Sequence, residues 1–258
     1  MGSREAGKTC SREDAKTGKR EGAKSGSREY AKSERRGDAK TERSSMLIYV
    51  IRHGETEANA EGVFQGQSDC PLTTAGLELA RETGRALRGT AFDAAFSSPL
   101  SRAFCTAQAV LEESGNDLDV VTDERLLEIC MGEYEGKRFR PGEREVDAAF
   151  CKMFFEDPFS MGRFPRGENA LDVCERTQAF LHELAAKDFN RVLVSTHGFA
   201  LRAMLNGLYD NPRDFWQGHV PYNCSVSIVE AEAGECHLVA SDKVFYDEKL
   251  CVDRYAVY

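Results

Sequence analysis

The chain has 258 residues, of which 41% are hydrophobic, 9% aromatic and 30% charged, enough for the core of one large domain or two small ones. No run approaches the roughly 18 to 20 apolar residues of a membrane-spanning helix, which excludes an integral helical membrane protein. The nine cysteines are an odd number without C-x-x-C pairs or metal-ligand spacing, which points away from a disulfide framework or structural zinc and toward a reducing compartment.

The charge is segregated. Residues 1–45 carry 13 Lys and Arg against 8 Asp and Glu, leaving 21 against 35 in the rest. An acidic body argues against a nucleic-acid-binding domain, because contact with a phosphate backbone needs a basic face. Any anion bound by this body must therefore meet a local cluster of cationic groups.

The basic segment is an octapeptide array. Arginine recurs at positions 4, 12, 20, 28 and 36, and lysine at 8, 16, 24, 32 and 40, each lysine being followed by Ser or Thr. A period of eight advances about 80° per repeat around a helix, so no apolar stripe stays in register. Residues 1–45 read as a disordered or transiently helical mixed-charge tail ahead of a folded domain at 46–258. It lacks the apolar core of a secretory signal and holds eight acidic residues, unlike a transit peptide. Weak tethering to RNA or an anionic surface is its alternative use, and Met46 is a candidate start for the folded part. The missing signals and the cysteine usage predict a cytoplasmic protein.

The body then alternates strands and helices. Leu47–Ile51 predicts a strand that stops at Arg52-His53-Gly54. Residues 74–88 have helical periodicity, with Thr73 or Thr74 as N-cap. A second strand is expected at 92–96, a helix at 99–112 and a third strand at 118–122. The stretch 137–166 has no clean period but holds six phenylalanines, Phe139, Phe150, Phe154, Phe155, Phe159 and Phe164. A helix at 168–187, a strand at 191–195 ending in Thr196-His197-Gly198, a helix at 201–208 and a hairpin around Ala233-Gly234 complete the pattern. This alternation predicts an α/β fold, a mostly parallel central sheet with helices on both faces.

In open α/β sheets ligands bind beyond the carboxyl ends of the strands. Two apolar runs, LIYVI and RVLVS, each lead into a histidine followed by glycine. If those strands are neighbours, His53 and His197 meet at one end of the sheet, with Arg52 beside the first.

The stretch from Leu47 to Thr56, containing R-H-G-E-T, resembles the signature of the histidine phosphatase, or phosphoglycerate mutase-like, superfamily. Further matching segments follow in order: Asn59, residues 64–72, Ser97-Ser-Pro-Leu-Ser-Arg-Ala103, residues 127–136, Gly167-Glu168 and Ser195-Thr-His-Gly198. The resemblance spans about residues 47–250. It implies a phosphoryl group carried through a phosphohistidine without a metal or another cofactor. His53 takes the nucleophile position, its second ring nitrogen held by a backbone carbonyl. Arg52 and Arg102 match the family's two arginines, whose guanidinium forks suit phosphate. His197 matches the second histidine, which donates to a phosphate oxygen. Asn59 and Gln65 match amide donors; Gly198, and more weakly Thr56, complete the phosphate contacts. Glu128 takes the place of the general acid, with Glu55 as its rival.

Within the family, Ile129-Cys130-Met131-Gly132 after the acid, and only 69 positions from Glu128 to His197, are similar to the phosphatase branch. Its members include broad-specificity and α-ribazole phosphatases. A phosphoglycerate mutase is the alternative, and a non-catalytic phosphate-ester-binding or scaffold protein the alternative of another class. The implied partner is a small phosphate monoester, with no nucleic acid on the folded domain, no membrane, and a monomer or homodimer. Phe139 to Phe164 fit a lid that admits bulky or partly apolar alcohols, and Tyr222 is a minor candidate contact. His182, His219 and His237 read as structural or surface residues. One departure is Ala58, where relatives commonly carry an aromatic residue before the pocket asparagine.

Overall fold

The computed structural model describes residues 45–251; the expectation of a disordered repeat tail falls on residues outside that range, apart from Ser45. Six strands are formed: β1 Met46–Arg52, β2 Ala94–Ser97, β3 Val120–Thr122, β4 Arg191–Thr196, β5 Val226–Glu232 and β6 Glu235–Lys243. They make one sheet in the order β3-β2-β4-β1-β5-β6. The first four strands in that order are mutually parallel, while β5 and β6 add an antiparallel hairpin. The sheet is therefore mixed, with a parallel part that carries both His-Gly ends.

The helices are α1 Glu57–Glu61, α2 Thr74–Ala86, α3 Ser101–Ser114, α4 Ala148–Glu156, α5 Ala170–Ala185 and α6 Gly198–Leu205. Strand alternation assigns four of them, α2, α3, α5 and α6, to two faces. Ile48, Val50, Val192 and Val194 pack with Phe180, Leu181 and Leu184 of α5 and with Leu201, Met204 and Leu205 of α6. Ile51 and Leu193, one residue out of phase, pack with Ala80 of α2 and with Ala107, Val110 and Leu111 of α3. Because both faces are covered, β1 and β4 are apolar on both sides, hence the continuous runs LIYVI and RVLVS.

Two helices had no legible period. The α1 helix is five residues long, too short for one, though Thr56 and Asn59 form a reciprocal capping box at its start. The α4 helix lies in the phenylalanine-rich stretch and is capped by Asp147, whose carboxylate accepts from Ala149 and Phe150 N–H. Its apolar residues join a third cluster containing Phe64, Phe139, Phe154, Phe164, Phe199, Phe215 and Trp216. Of the two candidate caps for α2, Thr73 serves, accepting from Gly76 N at 2.9 Å. No disulfide joins the described cysteines, and no described helix is long and apolar enough to cross a membrane.

Candidate active site

Strands β1 and β4 are parallel neighbours with Arg52 paired to Thr196, so the residues that follow each strand emerge side by side. The His53 and His197 rings lie 5.1 Å apart between centroids at 61°. Both are buried, at 3% and 0% exposure. His53 Nδ1 lies 2.7 Å from the Gly54 carbonyl oxygen. A carbonyl only accepts, so Nδ1 carries the proton and Nε2 keeps its lone pair. Burial, then the charges of Arg102 and Arg52, hold the His53 pKa well below the usual histidine value. The ring is thus a neutral imidazole with a nucleophilic nitrogen.

His197 has the opposite tautomer. Arg102 donates from Nε to its Nδ1 at 3.2 Å, which places the ring proton on Nε2, 2.8 Å from Ser98 Oγ. Burial and the Arg102 charge hold this ring neutral as well. Arg102, 1% exposed, opens α3 just beyond β2, and its Nη1 and Nη2 donate to the carbonyls of Ser68 and Gly66 at 2.8 and 2.7 Å. Arg52 donates from Nη1 to the Pro221 carbonyl, while its buried Nε has no hydrogen-bond partner. A buried guanidinium N–H without an acceptor is costly, and an anion would satisfy it.

Glu128 lies on the loop between two 3-10 turns, Glu124–Leu126 and Gly132–Tyr134. Its carboxylate accepts from Ile129 N at 2.9 Å, Ala200 N at 3.0 Å and Phe199 N at 3.2 Å. The latter two amides belong to the first turn of α6, where N–H groups lack intrahelical partners.

Arg52, His53, Asn59, Gln65, Arg102, Glu128 and Gly198 line one cavity of about 50 Å³, room for a few water-sized groups. Asn59 is oriented by its own side-chain oxygen, which accepts from Thr56 N and from Asn223 Nδ2, each at 3.3 Å. Thr56 and His197, both predicted phosphate contacts, are not among the residues that line the cavity. Thr56 is fully buried, its hydroxyl donating to Gln65 Oε1 and accepting from Asn59 N, so it orients those two side chains. The Nδ1 of His197 accepts from Arg102 Nε, so that nitrogen carries a lone pair and not a proton. Glu55 is turned toward Thr73, whose hydroxyl donates to it at 3.3 Å. Tyr222 packs on His219 with centroids 5.0 Å apart.

Sequence reasoning missed several supports of the site. Glu135 accepts from Gln67 N at 2.9 Å, from Met131 N at 3.2 Å and from the Ser68 hydroxyl, shaping the loop that carries Gln65 and anchors Arg102. Asn223 donates to the His53 carbonyl at 3.0 Å. Thr106 accepts from Gly54 N at 3.0 Å. Glu135 lies inside the matching segment 127–136, but nothing in its spacing indicates what it holds.

Above the polar floor the lining is apolar: Val63, Phe64, Met131, Phe139, Phe154, Phe155, Phe199, Trp216 and Val220. The floor offers two guanidiniums, amide groups and a neutral imidazole to one anionic group, beside a carboxyl able to exchange a proton.

The comparisons with known proteins agree with this constellation. The model of the histidine phosphatase superfamily (branch 1) matches residues 48–243. The chain is 33% identical over 184 residues to "Probable phosphoglycerate mutase GpmB" of Proteus mirabilis, covering 71% of this chain and 84% of that protein. It is 29% identical over 209 residues to "Putative phosphoserine phosphatase 2" of Hydrogenobacter thermophilus, covering 79% and 98%. Among solved structures, Bacillus stearothermophilus YhfR superposes with a TM-score of 0.71 at 32% identity, over 77% of this chain and 98% of that one. The chain belongs to the histidine phosphatase superfamily, branch 1.

Proposed function

We propose that this protein is a metal-independent phosphatase that hydrolyses phosphate monoesters of partly apolar alcohols through a phosphohistidine on His53. Nε2 of His53 attacks phosphorus in line with the ester oxygen. The P–N bond forms as the P–O bond breaks, and the leaving alkoxide takes a proton from Glu128. Glu128, now a carboxylate, accepts a proton from water as that water attacks the phosphohistidine, releasing phosphate and restoring the enzyme. Arg52 and Arg102 neutralise the equatorial oxygens, and Asn59, Gln65 and Gly198 fix their orientation.

The observation that carries the choice of a phosphatase over a mutase is the lining. Among the described residues that line it, Arg52 and Arg102 are the only cationic side chains, and the rest of the described wall is largely phenyl, indole and aliphatic. A phosphoglycerate substrate brings a carboxylate, and a bisphosphorylated intermediate a second phosphate, and burying either against such a wall without a cation is costly. An alcohol with an aromatic or aliphatic body brings no second charge to bury against that wall, and α-ribazole phosphate is one such ester.

The test is a substrate panel of p-nitrophenyl, benzyl and α-ribazole phosphates, with 3-phosphoglycerate assayed in the presence and absence of 2,3-bisphosphoglycerate. The apolar esters should be hydrolysed with the highest kcat/KM, and His53→Ala should show neither turnover nor a phosphate adduct by mass. Interconversion of phosphoglycerates that depends on the bisphosphate would establish the mutase instead. A wild-type chain that forms no adduct and turns over no ester would leave the scaffold reading.

A further inference from the structure

The geometry points to Arg176 and Glu168 as the pair that positions the acid–base group Glu128, an inference that rests on the role proposed for Glu128 above. The backbone of Glu128 lies on a loop, within neither a strand nor a helix, yet proton transfer needs its carboxyl placed to within a fraction of an ångström. The rigid element behind that loop is α5, and its Arg176 side chain reaches over.

All five N–H donors of the Arg176 guanidinium are engaged. Nε and Nη2 grip the Glu168 carboxylate at 2.9 and 3.0 Å, as a two-pronged pair. Nη1 donates to the carbonyls of Arg125 at 2.8 Å and Leu127 at 2.6 Å, and Nη2 donates to that of Glu128 itself at 3.0 Å. Glu168 completes the clamp from the other side. Its Oε2 accepts from Cys130 N at 2.8 Å, and its own N–H donates to Cys130 O at 2.9 Å. Gln67 Nε2 adds a bond to the Glu128 carbonyl at 3.1 Å.

The two side chains thus hold the backbone at 125, 127, 128 and 130, with the acid in the middle. Close backbone packing supports the same arrangement, since a Cβ on Gly167 would lie 2.2 Å from the Cys130 carbonyl oxygen. Both side chains are about one-fifth exposed, 18% and 20%. An ion pair of that exposure stabilises little by itself; its effect lies in where its remaining donors are aimed. Lysine carries a charge of the same sign but lacks the planar fork, so it cannot reach three carbonyls and a carboxylate at once.

A group that works only through Glu128 should affect only the step that needs Glu128. The test compares kcat/KM for benzyl phosphate, whose alkoxide needs a proton to leave, with p-nitrophenyl phosphate, whose phenolate scarcely does. Arg176→Lys and Glu168→Gln should each lower the benzyl value by about tenfold to a hundredfold while moving the p-nitrophenyl value by no more than about twofold. Glu128→Gln should show the same split at on the order of 10²- to 10⁴-fold, and adding Arg176→Lys to it should cost nothing further. Thermal unfolding midpoints set the assay temperature below the least stable variant, and Glu168→Gln serves if Arg176→Lys does not fold. Equal slowing of both esters, or a full additional loss in the double variant, would overturn the inference. If Glu128→Gln itself shows no split, the proposed acid role fails instead, and the two failures are told apart.

Discussion

The Nε of Arg102 stands 3.2 Å from Nδ1 of His197, with the Arg102 proton pointing at the imidazole lone pair. An arginine always donates, so in this state His197 cannot donate from Nδ1 to a phosphate oxygen. An anion entering the cavity reverses the balance, since a nearby negative charge favours the imidazolium. We expect the binding of inorganic sulfate, a tetrahedral dianion that does not titrate near neutrality, to take up about one proton at pH 7.5. Calorimetry in buffers of different ionisation enthalpy measures this uptake. It should persist in His53→Ala and disappear in His197→Gln. Binding with no proton uptake would remove His197 as a donor.

His53 and His197 are both held well below the ordinary histidine range by burial and by arginine charge. The folded state keeps the rings neutral while the unfolded chain protonates them near pH 6.5. Their contribution to stability is therefore fully present above that pH and falls as the pH drops from 6.5 toward the depressed folded values. The slope is up to about 1.4 kcal/mol per pH unit for each ring. Urea midpoints between pH 5.5 and 7 should show it, and His197→Gln should remove one ring's share. The same shift keeps the His53 nucleophile unprotonated, so kcat/KM should not fall on descending through pH 6.5. An acid limb at or above 6.5 would contradict this assignment.

Gly54 of the R-H-G motif is required by contact. A Cβ there would lie 2.4 Å from the carbonyl oxygen of Gly76 in α2, and a Cβ on Gly76 would lie 2.2 Å from the Glu55 carbonyl oxygen. Neither backbone can yield as a side-chain tip would, so Gly54→Ala should cost about 1–3 kcal/mol or more. It should also reduce turnover, because the Gly54 carbonyl holds His53. Gly207 is the control, having negative φ and open space around its would-be Cβ; Gly207→Ala should fall within about 0.5 kcal/mol of the parent. Urea unfolding of the three proteins settles the comparison.

Phe155 lines the cavity while remaining half-buried, so its ring can be cut back with less harm to the core than that of Phe154. Phe155→Ala should raise KM for benzyl phosphate about tenfold, the value of part of a buried ring, and leave glycerol 3-phosphate turnover unchanged. An unaltered ratio of the two esters would exclude the ring as a specificity element.

Trp216 ties down α4 by donating from Nε1 to the Phe154 carbonyl at 2.8 Å. Trp216→Phe should cost about 1–3 kcal/mol in urea unfolding, since it leaves that buried carbonyl unpaired. No change in stability would show that α4 is held by apolar packing alone.

The strands that frame the site were legible because burial on both faces writes itself as an apolar run, and the long helices because one polar face remains. Thr73, Asp147 and the Thr56–Asn59 box show that helix starts are local chemistry; of these only the Thr73 start was anticipated. The α4 helix stayed hidden because apolar residues occupy its half-exposed positions (Phe150, Met153, Phe155) as well as its buried ones (Cys151, Phe154), leaving no periodic contrast.

From the linear chain alone came the candidates for the reactive groups, because an imidazole, two guanidiniums and a carboxyl in family order suit few other chemistries. Only the tertiary structure decided their states: which ring nitrogen bears the proton, that Thr56 orients its neighbours, and that Arg176 reaches back to the acid loop. Those outcomes depend on contacts across tens of residues, from Arg102 to His197 and from Arg176 to Glu128. Hydrogen-bond direction and desolvation are properties of such encounters, and no local stretch of sequence contains them.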